Sequence, residues 1–346
     1  MRFTIIGAGG IGGVIGAHLA MHGHQVTFVE SRREHVEAVL SRGLTVSGIV
    51  SLTVRPSILL PGNLTGVVDT VLLSVKAQDT QAALAAVLPH LSARSCVVSL
   101  QNGLEVERVA SAVGASRTLG AEITFGAYYS DPGHVVYTGR GDLSIGELNG
   151  AITARIEELQ HAFTSLLPTK ASPNILGMIW SKVALGSMWF ATALVDEDVP
   201  VIFQRLEYRP LFRHLAAEVV QVAKLSGVSC EPITGIDMTA FVDRNASADT
   251  IARCWQALVQ SWSQYESKRT GVWRDIAVRH RPTEVASILG PVVERGVAER
   301  VGTPLLEKLA VAISELENGS RQFGWHNLED LTKYFISLDR TRGVVG

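Results

Sequence analysis

The stretch FTIIGAGGIG, Phe3–Gly12, decides the fold of the first half of the chain. It is a short apolar run that ends in glycines, as a buried parallel strand does, and Ile11–Met21 after it has the small and aliphatic composition of a helix. The glycines at positions 7, 9 and 12 match the GxGxxG pattern. Because this pattern lies between a strand and a helix, it predicts a dinucleotide-binding turn.

Each residue of this turn has its own expected role. Gly7 allows the tight turn, Gly9 lets the backbone approach a pyrophosphate, and Gly12 lets helix and strand pack closely. Gly10 precedes the helix that begins at Ile11, and the N-terminus of this helix offers free N–H groups to the phosphates. The alternative is a glycine-rich turn of an α/β protein without a ligand, which the strand and helix around the turn disfavour. We therefore predict that NAD(H) or NADP(H) binds here.

Glu30 bears on the choice between these two cofactors. It follows the predicted strand Gln25–Val29, close to the spacing at which an acidic residue reads the adenosine ribose. A carboxylate there accepts hydrogen bonds from the ribose hydroxyls and repels a 2′-phosphate, which favours NAD(H). Ser31, Arg32 and Arg33 come next and could hold such a phosphate, or they could form a solvated loop. NADP(H) therefore stays open.

Strand and helix patterns alternate over the first half of the chain. This alternation predicts an α/β Rossmann domain, with a doubly wound and mostly parallel sheet, over residues 1–170. Short β-like runs between Thr118 and Ile145 are expected to complete or edge that sheet. Strand patterns almost vanish afterwards, so residues 171–346 are predicted to form an all-α domain. Helical periodicity covers Ile175–Leu194, Leu211–Leu225, Ala248–Ser267, Thr283–Arg300 and Leu305–Leu316.

The composition bounds the class of protein. At 346 residues, with 47% hydrophobic and 18% charged residues, the chain suits two globular domains. A net charge of -2 gives no reason to expect nucleic acid or a membrane surface as a partner, and no apolar run is expected to span a bilayer. The three cysteines form no CxxC pair, which predicts reduced thiols in a cytoplasmic protein, and no metal-ligand spacing occurs. The apolar helical half is compatible with a homodimer.

Two polar loops follow strands of the predicted sheet. One is Ser74–Thr80, which carries Lys76, and the other is Ser99–Leu104, which carries Asn102. Ligands bind at the carboxyl edge of an open α/β sheet, so both side chains could reach the nicotinamide, its ribose or a substrate. The alternative is that they are ordinary loop residues with capping duties.

Lys182 and Glu284 are the candidate catalytic residues. Lys182 lies in the apolar stretch Ile179–Leu194. A lysine in such a stretch must extend its side chain to solvent or have a functional role. Carbonyl reduction leaves an alkoxide, which a lysine ammonium can stabilise and protonate. Glu284 follows Pro282 at the expected start of a helix and could orient Lys182 or accept a hydrogen bond from a substrate hydroxyl. The alternatives are a surface lysine and a plain first-turn carboxylate.

Taken together, these motifs resemble the ketopantoate reductase (2-dehydropantoate 2-reductase) family over essentially the whole chain. The matching segments are Gly7–Gly12, Ser74–Lys76, Gln101–Leu104, Trp180–Lys182 and Pro282–Glu284. The resemblance implies an active site in a cleft between the two domains and hydride transfer from NADPH to a 2-keto acid. It also implies that Lys182 is the general acid, that Glu284 binds or positions the substrate, and that Lys76 and Asn102 contact cofactor and substrate.

The chain departs from the family pattern where the substrate would bind. The family usually places asparagines four and eight residues after the lysine, on one helical face, but Gly186 and Phe190 stand there. Neither residue has a side chain that can hydrogen-bond the hydroxyl group of ketopantoate, and both would make the pocket larger and more apolar. The family serine that helps bind the substrate carboxylate has no clear match in Lys268–Asp275. Thr270 or Arg274 could take its place, and Arg274 suits a bidentate carboxylate contact or else has a structural role.

Three functions follow from these observations. The first is a ketopantoate reductase, and the second is a reductase of the same fold for another carbonyl compound with a more apolar side chain. The third is a dinucleotide-binding sensor without turnover. A sensor needs neither Lys182 nor Glu284, so the presence of both favours an enzyme.

Overall fold

The computed structural model describes residues 1–262 and 268–343, and it divides into two compact units. The first unit is Met1–Leu176 and the second begins at Gly177. The last part of the predicted helix Ala248–Ser267, residues 263–267, lies outside the described residues.

The first unit contains all the strands that form its two sheets. In chain order they are β1 (Arg2–Ile6), β2 (Gln25–Val29), β3 (Leu44–Gly48), β4 (Leu52–Val54), β5 (Ser57–Leu59), β6 (Val68–Leu73), β7 (Leu91–Ser99), β8 (Thr118–Ile123), β9 (Gly126–Asp131), β10 (His134–Gly139), β11 (Leu143–Glu147) and β12 (Thr169–Ala171). Its helices are α1 (Gly10–Met21), α2 (Arg33–Arg42), α3 (Thr80–Val87), α4 (Glu105–Val113) and α5 (Ala154–Thr164).

The main sheet has eight strands in the order β12-β11-β8-β7-β6-β1-β2-β5. All neighbouring pairs are parallel except β8 and β11. At its centre Ile5 pairs in register with Phe28 on one side and Leu72 on the other, and all three side chains are fully buried. The predicted doubly wound Rossmann sheet is confirmed. The strand order reverses at β1 and β6, which is where such sheets bind ligands.

A second sheet, in the order β4-β3-β10-β9, packs on α1. The sequence indicated that the short β-like runs between Thr118 and Ile145 would complete or edge the main sheet, but of the strands in that stretch only β8 and β11 do so, while β9 and β10 join the second sheet. The small residues of α1 permit this arrangement. A Cβ at Gly13 would lie 3.0 Å from the side chain of Val135, and a Cβ at Gly10 would lie 2.7 Å from the backbone of Tyr128. Glycine thus lets β9 and β10 approach the helix closely.

The second half of the chain is helical, as predicted. Its helices are α6 (Ile175–Thr192), α7 (Val199–Gln204), α8 (Arg209–Leu225), α9 (Met238–Val242), α10 (Ala248–Ser261), α11 (Gly271–Ala277), α12 (Val285–Ala298), α13 (Pro304–Glu317) and α14 (Trp325–Gly343). The sequence did not indicate α7, α9 and α11, which are too short to show a helical period, or the more polar α14.

The sequence predicted that no apolar run could span a bilayer, but helix α6 meets the criteria of length and composition for such a span. It has 18 residues with a mean hydropathy of 1.2, which is long and apolar enough by composition. However, 72% of it is buried inside the protein. A core helix that is covered on nearly all sides has the same composition as a membrane helix, so the pattern is weak evidence for a membrane.

We predict that Gly16→Ala lowers the free energy of unfolding by about 1–3 kcal/mol, the usual cost of overpacking a core. The reason is that a Cβ at Gly16 in α1 would overlap the ring of Phe28 and the side chain of Ile5. Urea unfolding measures the change. Gly62→Ala is the control, because its Cβ would have no neighbour within 4 Å. Equal stability of both variants would show that α1 does not pack this tightly on the sheet.

Candidate active site

Hydrogen bonds to two neighbouring strands close the glycine turn between β1 and α1. The Gly7 N–H donates to the Val29 carbonyl at 2.8 Å, and Gly7 has φ +96°, which favours glycine. The Ser74 hydroxyl donates to the Gly7 carbonyl at 2.8 Å. A Cβ at Gly12 would overlap both that carbonyl and the Ser74 hydroxyl. The fold itself therefore requires glycine at positions 7 and 12.

Gly9 has a different environment. Its backbone is extended, with φ −73° and ψ −161°, and beyond its chain neighbours no heavy atom of the described residues lies within 4 Å of a Cβ built on it. Packing therefore does not require glycine here. The open side adjoins the N-terminus of α1, where unpaired N–H groups favour an anion. The residues of this turn fit the pyrophosphate of a dinucleotide.

Glu30, just after β2, is 3% exposed and accepts four hydrogen bonds. Its Oε2 accepts from the Ala8 N–H at 2.9 Å and from Arg32 Nη2 at 3.0 Å. Its Oε1 accepts from the Arg32 backbone N–H and Nε, both at 2.9 Å. Burial by itself would raise the pKa of Glu30, but the hydrogen bonds and charge of Arg32 outweigh it and hold this pKa below its ordinary value. Arg32 is thus a direct partner of the carboxylate.

His35 on α2 is a second anchor of the turn, and no sequence motif marks it. Its ring is fully buried, and Nε2 lies 3.0 Å from the Ala8 carbonyl. The Gly133 N–H donates to Nδ1 at 2.8 Å. Because Nδ1 accepts, Nε2 carries the proton and the ring is neutral. The ring also packs edge to face on Tyr129, with centroids 5.1 Å apart. His35 therefore joins the glycine turn to the β9–β10 hairpin.

The loops that carry Lys76 and Asn102 follow β6 and β7, which are paired strands beside β1. Both loops therefore lie at the same carboxyl edge of the sheet as the glycine turn, as the sequence predicted. Gln101 ties them together, since its Nε2 donates to the Val75 carbonyl at 3.0 Å and to Thr80 Oγ1 at 2.8 Å. Sequence reasoning gave Gln101 no role beyond its place in a motif.

In the second unit, α6 has one part-exposed face on an otherwise buried helix. From Gly177 onward the part-exposed residues of α6 are Met178, Lys182, Trp189 and Phe190. Their spacing of four, seven and eight residues from Lys182 places them on one side of the helix. A Cβ at Gly186 would lie 3.4 Å from the Phe190 ring, so this ring lies over the glycine.

Trp189 belongs to this face, although the sequence analysis did not single it out. Its ring meets Trp262 edge to face with centroids 5.9 Å apart. Its buried indole N–H has no hydrogen-bond acceptor among residues 1–262 and 268–343. The signal that could have identified it is its position two helical turns after Lys182. Lys182 thus shares its face with two aromatic rings.

Glu284 immediately precedes α12, which begins at Val285. The sequence indicated an earlier start with Pro282 in the first turn, and this was wrong. The helix begins later than predicted because Thr283 is hydrogen-bonded to a residue outside it, Glu317 of α13. Its N–H and Oγ1 donate to Glu317 Oε1 at 2.8 and 2.5 Å. Thr283 therefore fixes the backbone next to Glu284, while the pairing of Glu284 with Lys182 stays a prediction.

The two candidates for a substrate carboxylate both have structural contacts in α11. Arg274 Nη1 donates to the Arg269 carbonyl at 2.9 Å. Thr270 is buried and caps the helix, because its Oγ1 accepts from the Trp273 N–H at 3.1 Å. The role of Arg274 toward a substrate stays a prediction.

The sequence matches one protein family along most of its length. The profile described as "Ketopantoate reductase PanE/ApbA" matches residues 3–150, and its C-terminal counterpart matches residues 174–317. A 2-dehydropantoate 2-reductase of Halobacterium salinarum is 30% identical over 90% of this chain and 97% of that protein. One of Pyrococcus horikoshii is 28% identical over 93% of this chain and 100% of that protein.

Solved structures share the fold. A ketopantoate reductase of the PanE/ApbA family from Ralstonia eutropha superposes with a TM-score of 0.76 at 26% identity, covering 92% of this chain and 99% of that one. D-Mandelate dehydrogenase, solved with NADH and anilino(oxo)acetate, superposes with a TM-score of 0.79 at 20% identity, with the same coverage. The second likeness concerns the fold alone.

We predict that Gly9→Ala and Gly12→Ala separate cofactor binding from stability. Gly9→Ala should raise the Kd for the cofactor by roughly tenfold or more, since its methyl group would stand where the pyrophosphate approaches, and leave the melting temperature unchanged. Gly12→Ala should lower the melting temperature. Cofactor fluorescence and thermal unfolding measure the two effects. Normal cofactor binding by the Gly9→Ala variant would show that the pyrophosphate does not bind beside Gly9.

Proposed function

The chain belongs to the ketopantoate reductase family of NAD(P)-dependent oxidoreductases, and we propose that it reduces the carbonyl group of a 2-keto acid with Lys182 as general acid. The observation that carries this proposal is the position of Lys182. It is the lysine on the single part-exposed face of a buried, apolar helix. A charged group in that setting needs a functional reason more than a surface lysine does.

The residues have the following proposed roles in the reaction. A bound, reduced nicotinamide would supply the hydride that the carbonyl carbon accepts. The electron pair of the carbonyl moves to oxygen, and the Lys182 ammonium stabilises the resulting charge and donates a proton to give the hydroxyl group. Glu284 orients Lys182 or, in a substrate that carries a hydroxyl group, accepts a hydrogen bond from it. Arg274 pairs with the substrate carboxylate.

The dinucleotide has its own proposed set of residues. The glycine turn holds the pyrophosphate, the residues after β2 meet the adenosine ribose, and the loops after β6 and β7 meet the nicotinamide end, where Asn102 also reaches the substrate. The set is Gly7, Gly9, Gly10, Ile11, Gly12, Glu30, Ser31, Arg32, Lys76 and Asn102. The open side of Gly9 and the shared sheet edge support this assignment.

The substrate that the second unit supports best is a 2-keto acid with a bulky apolar side chain. Gly186 and Phe190 stand where the family usually has two hydrogen-bonding asparagines, and the Phe190 ring lies over Gly186. Trp189 adds a second aromatic ring to the face that carries Lys182. The side chains at positions 186 and 190 offer dispersion and hydrophobic contact to an apolar group but no hydrogen bond to a hydroxyl group such as that of ketopantoate.

Ketopantoate is the second candidate substrate, because the relatives described above are named for its reduction. A sensor without turnover is the third candidate function, and Lys182 with Glu284 weighs against it. A small keto acid is the proposed partner in each enzymatic case. Cytoplasmic location and a homodimer stay predictions from the sequence.

We predict that Lys182→Ala lowers kcat by about 10²–10⁴-fold, the usual contribution of a positioned general acid, and leaves the Kd for NADH and NADPH unchanged. Lys224→Ala, at an exposed position in the last turn of α8, is the matched control. Stopped-flow hydride transfer and cofactor titration measure the two quantities. Unchanged kcat in Lys182→Ala would remove Lys182 from the reaction.

We predict that the double substitution Gly186→Asn with Phe190→Asn raises kcat/KM for ketopantoate, relative to phenylglyoxylate, by about tenfold or more. The amides would supply hydrogen bonds to the hydroxyl, and a site that lacks an aromatic ring would hold a phenyl group less well. Gly186→Asn alone is the control, because the Phe190 ring would then crowd the new side chain. If neither variant changes the ratio of the two kcat/KM values, this face does not contact the substrate side chain.

A further inference from the structure

We propose that Arg32 competes with the adenosine ribose for Glu30, so that either cofactor must displace Arg32 to bind and the chain discriminates weakly between NADH and NADPH. The proposal rests on the proposed function only in that a dinucleotide binds at the glycine turn. It concerns a different property, which is how the carboxylate at the end of β2 is occupied.

The hydrogen bonds to Glu30 leave no capacity for a ribose. A carboxylate offers about four lone-pair positions, two on each oxygen. One position is taken by the Ala8 N–H and three by the backbone and guanidinium N–H groups of Arg32. Two ribose hydroxyls can therefore reach Glu30 only if the guanidinium gives up its two bonds.

The guanidinium is also held on its other side. Its central carbon lies 3.9 Å above the centre of the Tyr129 ring, which is the geometry of a cation–π contact. Tyr129 in turn packs edge to face on the ring of the buried His35, which supports the surface that receives Arg32. The Arg32 side chain is nevertheless 36% exposed, so solvent is open to the guanidinium when it leaves Glu30, whereas the Glu30 side chain is only 4% exposed.

The two cofactors meet this pair in different ways. NADH would replace the guanidinium by its 2′- and 3′-hydroxyls, which restores the hydrogen bonds of Glu30. NADPH would draw Arg32 onto its 2′-phosphate, but that phosphate then faces the negative charge of Glu30. Each cofactor thus gains one partner and breaks the same ion pair. The expected ratio of the two Kd values is below about tenfold, since neither carries a clear advantage.

Equilibrium titration of nicotinamide fluorescence tests this on the full chain with NADH and NADPH. Arg32→Ala should tighten NADH binding by roughly tenfold, because Glu30 becomes available, and should weaken NADPH binding. Glu30→Gln should tighten NADPH binding, because Arg32 is released and the repulsion is gone. Tyr129→Leu removes the platform under the guanidinium and should reproduce part of the NADH gain.

Arg94→Ala is the matched control, because Arg94 is an exposed arginine near the amino end of β7, at the sheet edge opposite the glycine turn, and its loss should leave both Kd values unchanged. Weaker NADH binding in Arg32→Ala would overturn the proposal, because it would make Arg32 a ligand of NADH rather than a competitor for Glu30. Unchanged binding in that variant would also overturn it. Failure of the unaltered chain to bind either cofactor would instead overturn the proposed function.

Discussion

The backbone of Ala8 is held through both its N–H and its carbonyl, and the proposed dinucleotide site depends on it. Its N–H donates to Glu30 at 2.9 Å, and its carbonyl lies 3.0 Å from Nε2 of His35. These bonds fix the glycine turn against β2 and α2, which determines where Gly9 and the first turn of α1 face. Burial is the largest cause that lowers the pKa of His35, so its ring stays neutral and Nδ1 can keep accepting from Gly133.

The sequence predicted what is encoded locally. The strand, glycine turn and helix at Phe3–Met21 follow from hydrophobic patterning, and the carboxyl edge that carries Lys76 and Asn102 follows from the parallel strand order. Contacts between distant segments could not be predicted. Gly10 is the example, since the motif gave it a place beside the phosphates, while the structure shows that the backbone of Tyr128 on β9 also requires it to be glycine.

The same distinction explains the candidate substrate face. One helix places Lys182 and the two replaced positions on one side, so helical spacing was enough to group them. It was not enough to show that Phe190 lies over Gly186, or that Trp189 adds a second ring. These contacts give the two departures from the family pattern a common reason, because an aromatic ring at position 190 uses the space above residue 186.

The most direct test of the account is oxidation of NADH and NADPH, followed at the nicotinamide absorbance, with ketopantoate against 2-keto acids of increasing apolar bulk. We expect turnover with a 2-keto acid, with kcat/KM rising as the side chain becomes larger and more apolar and with ketopantoate among the poorer substrates. Absence of oxidation with every carbonyl compound, by a chain that still binds the cofactor, would contradict the assignment of an enzyme.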